Sequence, residues 1–242
     1  MVDPQGREFR VFSDVGAPGS PVYVLVHGIG MSHLSLSRLH AQLARTATVH
    51  SMDLPGFGGL PRPSTLLDVE TMAAALGRVV AGLGAEKVVV VGHSMGAQWA
   101  VELGRQRPDL VSHVVVIGPV VDDAHRSVPA QGLALALDSL RESPAANAMV
   151  LTDYIRCGLR WYMAQLGPMM TYPITRRVAE LHPPLLVVRG GNDHVAGRRW
   201  CRRLRDAAPA SRFVEIPGRP HHAQYDAPRA VASAIRDFVG AP

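Results

Sequence analysis

Four consecutive valines, Val88 to Val91, run into Gly92-His93-Ser94-Met95-Gly96 and then directly into a helix-forming stretch, Ala97 to Leu103. A short β-branched run bounded by Lys87 and Gly92 reads as a buried strand. A chain that passes from strand to helix within one residue forces that residue into a strained backbone conformation. Small neighbours two positions either side make the turn sterically possible. The Ser94 hydroxyl is then expected above the sheet at a helix N-terminus, where free N–H groups favour developing negative charge. A serine in a chance glycine-rich turn is the competing reading, and the strand before and helix after argue against it.

A hydroxyl becomes a useful nucleophile only when a base takes its proton and an acid orients that base. Downstream, Leu185 to Val188 reads as a second buried strand, followed by Arg189-Gly190-Gly191-Asn192-Asp193. Arg212 to Ile216 alternates like a strand and is closed by Pro217-Gly218-Arg219-Pro220-His221-His222. Asp193 and one of the two histidines are therefore expected at the strand ends where Ser94 stands. Strands are predicted over 8–13, 22–26, 47–52, 87–91, 113–117, 184–189 and 212–216. Helices are predicted over 35–45, 68–83, 95–106, 195–207 and 227–239, the alternation a parallel sheet demands.

Four segments together make the chain resemble the α/β-hydrolase fold superfamily, in its serine-esterase and carbon–carbon-hydrolase-like group. They are Val26-His27-Gly28-Ile29-Gly30, Met52 to Gly58, Gly92 to Gly96, and the pair Gly190 to Asp193 and Gly218 to Pro228. The resemblance implies a mostly parallel sheet flanked by helices, with catalytic residues in the order Ser94, Asp193, His221. It places an acid five positions and a proline seven positions after the base. Asp226 and Pro228 satisfy this for His221, and His222 has no such register. It also implies an oxyanion hole from the amides of Ile29 and Met95. Gly59 departs from the pattern, where many relatives carry serine, in a segment that shapes a loop. His27 and Gly28 are expected beside the substrate, and His93 in structural or pocket contacts.

The 242 residues suit a single α/β domain, and 47% apolar with 19% charged residues describes a globular enzyme. No run nears the roughly 18 apolar residues of a membrane span, and no membrane partner is expected. Cys157 and Cys201 show no metal spacing and fit a reducing cytoplasm. The net charge of +5 raises the question of nucleic acid, but all 25 basic residues except Lys87 are arginine, which reads as codon bias. The cluster Arg198 to Arg205 reads as a solvated helix face with Trp200, Cys201 and Leu204 inward, so no nucleic-acid partner is expected. Oligomeric state is left open.

Residues 119–183 carry no strand run. They are expected to form a small helical cap, inserted after the sixth strand, over a core made of 1–118 and 184–242. Leu133 to Arg141 and Leu151 to Leu166 are its predicted helices, broken by Pro144 and Pro168. From Leu151, apolar residues including Tyr154, Ile155, Leu159, Tyr162 and Met163 recur at three and four, with Asp153, Arg156 and Arg160 opposite. That stripe either packs as core or, with Tyr162, Met163, Met169 and Met170, roofs an acyl pocket. The expected activity is hydrolysis of small or medium apolar carboxylic esters through an acyl-enzyme, with no metal or organic cofactor. Carbon–carbon bond hydrolysis, perhydrolysis and a slow-turnover ligand receptor are the alternatives. A histidine base implies activity that rises through about pH 6.5 if the ring is unperturbed.

Overall fold

A computed structural model describes residues 1–122 and 127–240. Seven strands form one sheet: β1 (Arg10–Asp14), β2 (Val22–Val26), β3 (Thr48–Asp53), β4 (Val88–His93), β5 (Val111–Ile117), β6 (Leu185–Gly190) and β7 (Ser211–Ile216). Their order is β1-β3-β2-β4-β5-β6-β7. Only β1 runs antiparallel, pairing Phe12 with Ser51 of β3. All other pairs are parallel, with Val26 of β2 opposite Gly92 of β4 and Val91 opposite Val115 of β5.

The helices are α1 (Ser37–Leu43), α2 (Val69–Ala81), α3 (Gly96–Gln106), α4 (Val128–Ser139), α5 (Pro144–Cys157), α6 (Leu159–Thr171), α7 (Ile174–Ala179), α8 (Arg198–Ala207), α9 (Ala223–Asp226) and α10 (Pro228–Val239). The valine run explains why both faces need them. Strand side chains alternate, so Val88 and Val90 enter one core while Val89 and Val91 enter the other. Leu185 and Val187 separate from Leu186 and Val188 in the same way. A sheet apolar on both faces must be covered on both, which is the layered α/β arrangement. In α8, Trp200, Cys201 and Leu204 are buried as their spacing predicts.

The helical insertion departs from the sequence reading in four respects. It follows β5, the fifth strand of the chain as the predicted strands themselves number it, and not a sixth. The helix expected over Leu151 to Leu166 is two helices. Gly158 has φ 75°, which glycine adopts without a Cβ penalty, and it ends α5 and starts α6. Asp153 is consequently buried, not solvated, and takes Ser32 N–H at 2.8 Å and Ser32 Oγ–H at 2.8 Å. Pro144 begins α5 at a position that needs no N–H donor, but Pro168, expected to break the helices, lies inside α6, which continues to Thr171. Residues 123–126, within the expected cap, and 241–242 lie outside the described residues.

Candidate active site

Ser94 follows β4, Asp193 follows β6 and His221 follows β7, so the parallel register gathers all three at the carboxyl ends of the strands. Ser94 has φ 55°, a left-handed conformation uncommon for a residue with a side chain. The bend is enforced by close backbone approach. A Cβ on Gly92 would lie 2.1 Å from Gly96 O, and one on Gly96 would lie 2.4 Å from Val26 O. Ser94 N–H is tied to Ile117 O at 2.9 Å, which fixes the elbow against β5.

Asp193 is held from both sides. Its Oδ1 accepts the N–H groups of Val195 and Ala196, each at 2.8 Å, and its backbone oxygen accepts from Arg189 at 3.0 Å. That leaves Oδ2 for His221 Nδ1, 3.0 Å away. A carboxylate can only accept, so Nδ1 carries the proton and Nε2 presents its lone pair. His221 Nε2 is buried without a hydrogen-bond partner among the described residues. It lines a cavity of about 240 Å³ together with Ser94, Gly28, Ile29 and the inner faces of α4, α5 and α6. The cavity wall otherwise consists mainly of apolar and aromatic side chains, among them Leu135, Tyr154, Leu166 and Met169.

Burial pushes the His221 ring towards the neutral form, but Asp193, by charge and hydrogen bond, and then the charges of Asp138 and Glu142 outweigh it. The ring is raised to about 9, well above the unperturbed value expected from sequence. His93 lies the other way. It is fully buried, donates Nε2–H to His221 O at 3.3 Å and has its ring centroid 4.8 Å from that of His221. Burial and the neighbouring His221 and His222 hold it well below the usual histidine range, hence neutral.

Two acidic residues that the sequence reading did not single out complete the site. Asp138, near the end of α4, accepts His221 N–H at 2.8 Å on Oδ2 and His194 N–H at 3.1 Å on Oδ1. It therefore bridges the loop that follows β6 and the loop that follows β7. Glu142, four residues on, accepts both the backbone N–H of His222 at 2.7 Å and its Nδ1–H at 2.8 Å. Asp138 is raised to about 6, first by burial and then by repulsion from Asp193, against an opposing pull from His221. The available signal was two acids four residues apart, one in the last turn of an otherwise apolar helix and one just beyond its end.

His222 lines the cavity, with its Nδ1 directed at Glu142 and not at Asp193. Tyr162, Met163 and Met169 line it as expected, although Met163 is half-exposed at the rim. Two expected residues do not reach it. His27 is fully buried, donating Nδ1–H to Gly28 O at 2.8 Å and accepting Leu54 N–H at 3.2 Å, so both ring nitrogens are spent within the loops. Met170 packs against the core beside its cavity-lining neighbour Met169. Met95, buried, is the first-turn cap of α3 directly after Ser94. Gly30 gives way to the insertion, since a Cβ there would lie 2.8 Å from the Tyr162 ring.

Among the described residues, Asp138, Glu142 and His222 bring potential metal ligands within 4.8 Å of one another. Most of their ligand atoms are engaged: both Asp138 oxygens take backbone N–H groups and Glu142 Oε1 takes two donors from His222, while Glu142 Oε2 is buried without a hydrogen-bond partner among the described residues. The cluster is built as a hydrogen-bond clamp.

A family model described as "Alpha/beta hydrolase family" matches residues 23–234. The chain belongs to the alpha/beta hydrolase family. The chain is 32% identical to an uncharacterized protein of Mycobacterium tuberculosis over 138 residues, which is 54% of this chain and 39% of that protein. The match thus spans about two fifths of that relative. It is 27% identical to the sn-1-specific diacylglycerol lipase ABHD11 of Mus musculus, over 90% of this chain and 81% of the lipase. Among solved structures, the enol-lactonase from Burkholderia xenovorans superposes with a TM-score of 0.83 at 20% identity, covering 98% of each chain. At that identity the likeness speaks for the fold.

Proposed function

We propose that this hydrolase cleaves small or medium apolar carboxylic esters through an acyl-enzyme on Ser94, with residues 119–183 acting as a cap over the acyl pocket. His221 Nε2 takes the Ser94 proton as the oxygen attacks the carbonyl, and returns it to the departing alcohol. Asp193 holds the Nδ1–H tautomer and stabilises the imidazolium. The amides of Ile29 and Met95 receive the oxyanion. Neither N–H has a protein acceptor among the described residues, which leaves both available. Water then resolves the acyl-enzyme by the same proton route.

The observation that carries this reading is the unpartnered His221 Nε2, in one apolar cavity with Ser94 and backed by Asp193 at 3.0 Å. A volume of about 240 Å³ sits just below the usual range of ligand pockets, which supports a short or medium acyl group. The similarity to a diacylglycerol lipase supports an acyl ester as substrate class. Cys157 and Cys201 are free and buried, which supports a reducing cytoplasm, and no helix among the described residues is long and apolar enough to cross a membrane.

The test is fluorophosphonate labelling combined with p-nitrophenyl butyrate turnover. The wild type should label and turn over. Ser94→Ala should do neither, with a loss in kcat on the order of 10⁴ or more. A folded Ser94→Ala protein that keeps a tenth of the activity would remove Ser94 from the mechanism.

A further inference from the structure

Eight of the thirteen exposed large apolar side chains among the described residues lie between Val128 and Met163. On α4 and at its C-cap, Leu133 and Leu140 are 62% and 82% exposed; on α5 and α6, Ile155 and Leu159 are 72% and 76% exposed. Scattered surface leucines are ordinary, but a cluster confined to three consecutive helices is not. Ile155 and Leu159 lie on either side of the break at Gly158 and line one shallow cleft. Asn147 Nδ2–H joins α5 to Ser139 O at the end of α4, at 2.9 Å. Val128 of α4 and Met163 of α6 are both exposed and both also line the Ser94 cavity. The apolar face therefore reaches the cavity.

Its charges are sorted as well. The acids of residues 127–167 are Asp138, Glu142 and Asp153, and all three are buried against the core. Arg141, Arg156 and Arg160 are all exposed. The outer surface of these helices is thus apolar and cationic, without an exposed acid among the described residues. A second copy of the chain fits this poorly, because a two-fold interface on the same patch would bring arginines towards arginines. An anionic surface fits it on both counts.

We propose that the outer face of α4, α5 and α6 docks on an anionic lipid surface, with Leu133, Leu140, Ile155 and Leu159 at the acyl boundary and the arginines at the phosphates. This combination is how amphipathic helices lie at a membrane interface without spanning it. It departs from the expectation of no membrane partner, which followed from the absence of a spanning run. Docking would set the cavity mouth against the layer that holds acyl esters. The docking itself does not depend on the proposed ester chemistry.

The experiment is co-sedimentation of the full chain with vesicles of phosphatidylcholine, with or without phosphatidylglycerol. Binding should require phosphatidylglycerol and fall as salt shortens the screening length. Leu133→Glu combined with Leu140→Glu should lower partitioning at least tenfold while p-nitrophenyl acetate hydrolysis stays at the wild-type rate. Arg156→Glu combined with Arg160→Glu should lower it by about fivefold or more per residue. Ser94→Ala should bind as the wild type does, so a failure of the ester chemistry would leave this result standing. The proposal is overturned by absence of binding to the anionic vesicles at low salt, or by variants that bind like the wild type. It is equally overturned if light scattering finds a dimer that the leucine substitutions dissociate, which would give the face to a second copy.

Discussion

Asp138→Asn should separate the electrostatic role of the insertion from its packing role. The wild-type carboxylate is 1% exposed and takes one N–H from the acid loop and one from the base loop. Asparagine keeps one acceptor oxygen and turns an NH₂ towards the other donor, so one buried hydrogen bond to a charged group is lost, a cost of about 1.5–3 kcal/mol. The same change deletes a negative charge that helps hold His221 at about 9 against its burial. Asp138 reaches the backbone N–H of His221 at 2.8 Å, and an opposite charge close to a titrating group moves it by about one to three pH units. Asp138 itself, raised to about 6, is ionised across the alkaline range where His221 titrates. The base must be neutral to work, so wild-type kcat/KM should still climb between about pH 7 and 9. In the variant the rising limb should move to lower pH by at least about one unit. A tenfold gain in neutral imidazole near pH 7 then offsets a tenfold loss of orientation, giving near parity there and a roughly tenfold deficit above pH 9. The assay is p-nitrophenyl butyrate hydrolysis from pH 5 to 10, read at the nitrophenol isosbestic wavelength, with circular dichroism to confirm folding. An unmoved limb with a uniform fall at every pH would refute the electrostatic argument and reduce Asp138 to a loop tether.

His221→Ala should cost nearly as much kcat as Ser94→Ala, whereas His222→Ala, which removes only the ring directed at Glu142, should keep a tenth or more; steady-state kinetics on the same ester decide. Tyr162→Ala and Met169→Ala should change the kcat/KM ratio between acetate and octanoate esters by about tenfold, and Met163→Ala at the rim by less. Equal loss on every ester would make those side chains scaffolding. Gly92→Ala should prevent stable folding, since its methyl meets the Gly96 carbonyl at 2.1 Å, and a wild-type melting temperature would contradict that.

The features that were legible from sequence are the ones fixed by neighbours in the chain. A valine run between Lys87 and Gly92 can only be a strand buried on both faces, and glycines flanking Ser94 can only serve a bend too tight for a Cβ. His221 was separable from His222 by its register with Asp226 and Pro228, and the structure does bring His221, not His222, to Asp193. Asp226 itself accepts Ser143 Oγ–H at 2.6 Å, from the segment that leads into α5. The pattern residue therefore braces the insertion and does not touch the base.

What was illegible depends on partners far away in the chain. The apolar stripe from Leu151 to Leu166 continues in helical phase across Gly158, so periodicity alone reads one helix with one buried face. The actual break leaves Tyr154 and Tyr162 lining the cavity with tilted rings, centroids 5.1 Å apart, and Ile155 and Leu159 in solvent. Periodicity reports that a face is apolar but not what covers it. The clamp is harder still. Asp138 and Glu142 act on backbone N–H groups 83 and 80 residues downstream, and a backbone N–H has no sequence signature. Only the sheet, by delivering the β6 and β7 loops to the same edge beneath α4, makes an acid in the insertion an acceptor for the loop of the base. That is why the insertion and the catalytic loops should be perturbed together by a single substitution at Asp138, although nothing in the local sequence of either connects them.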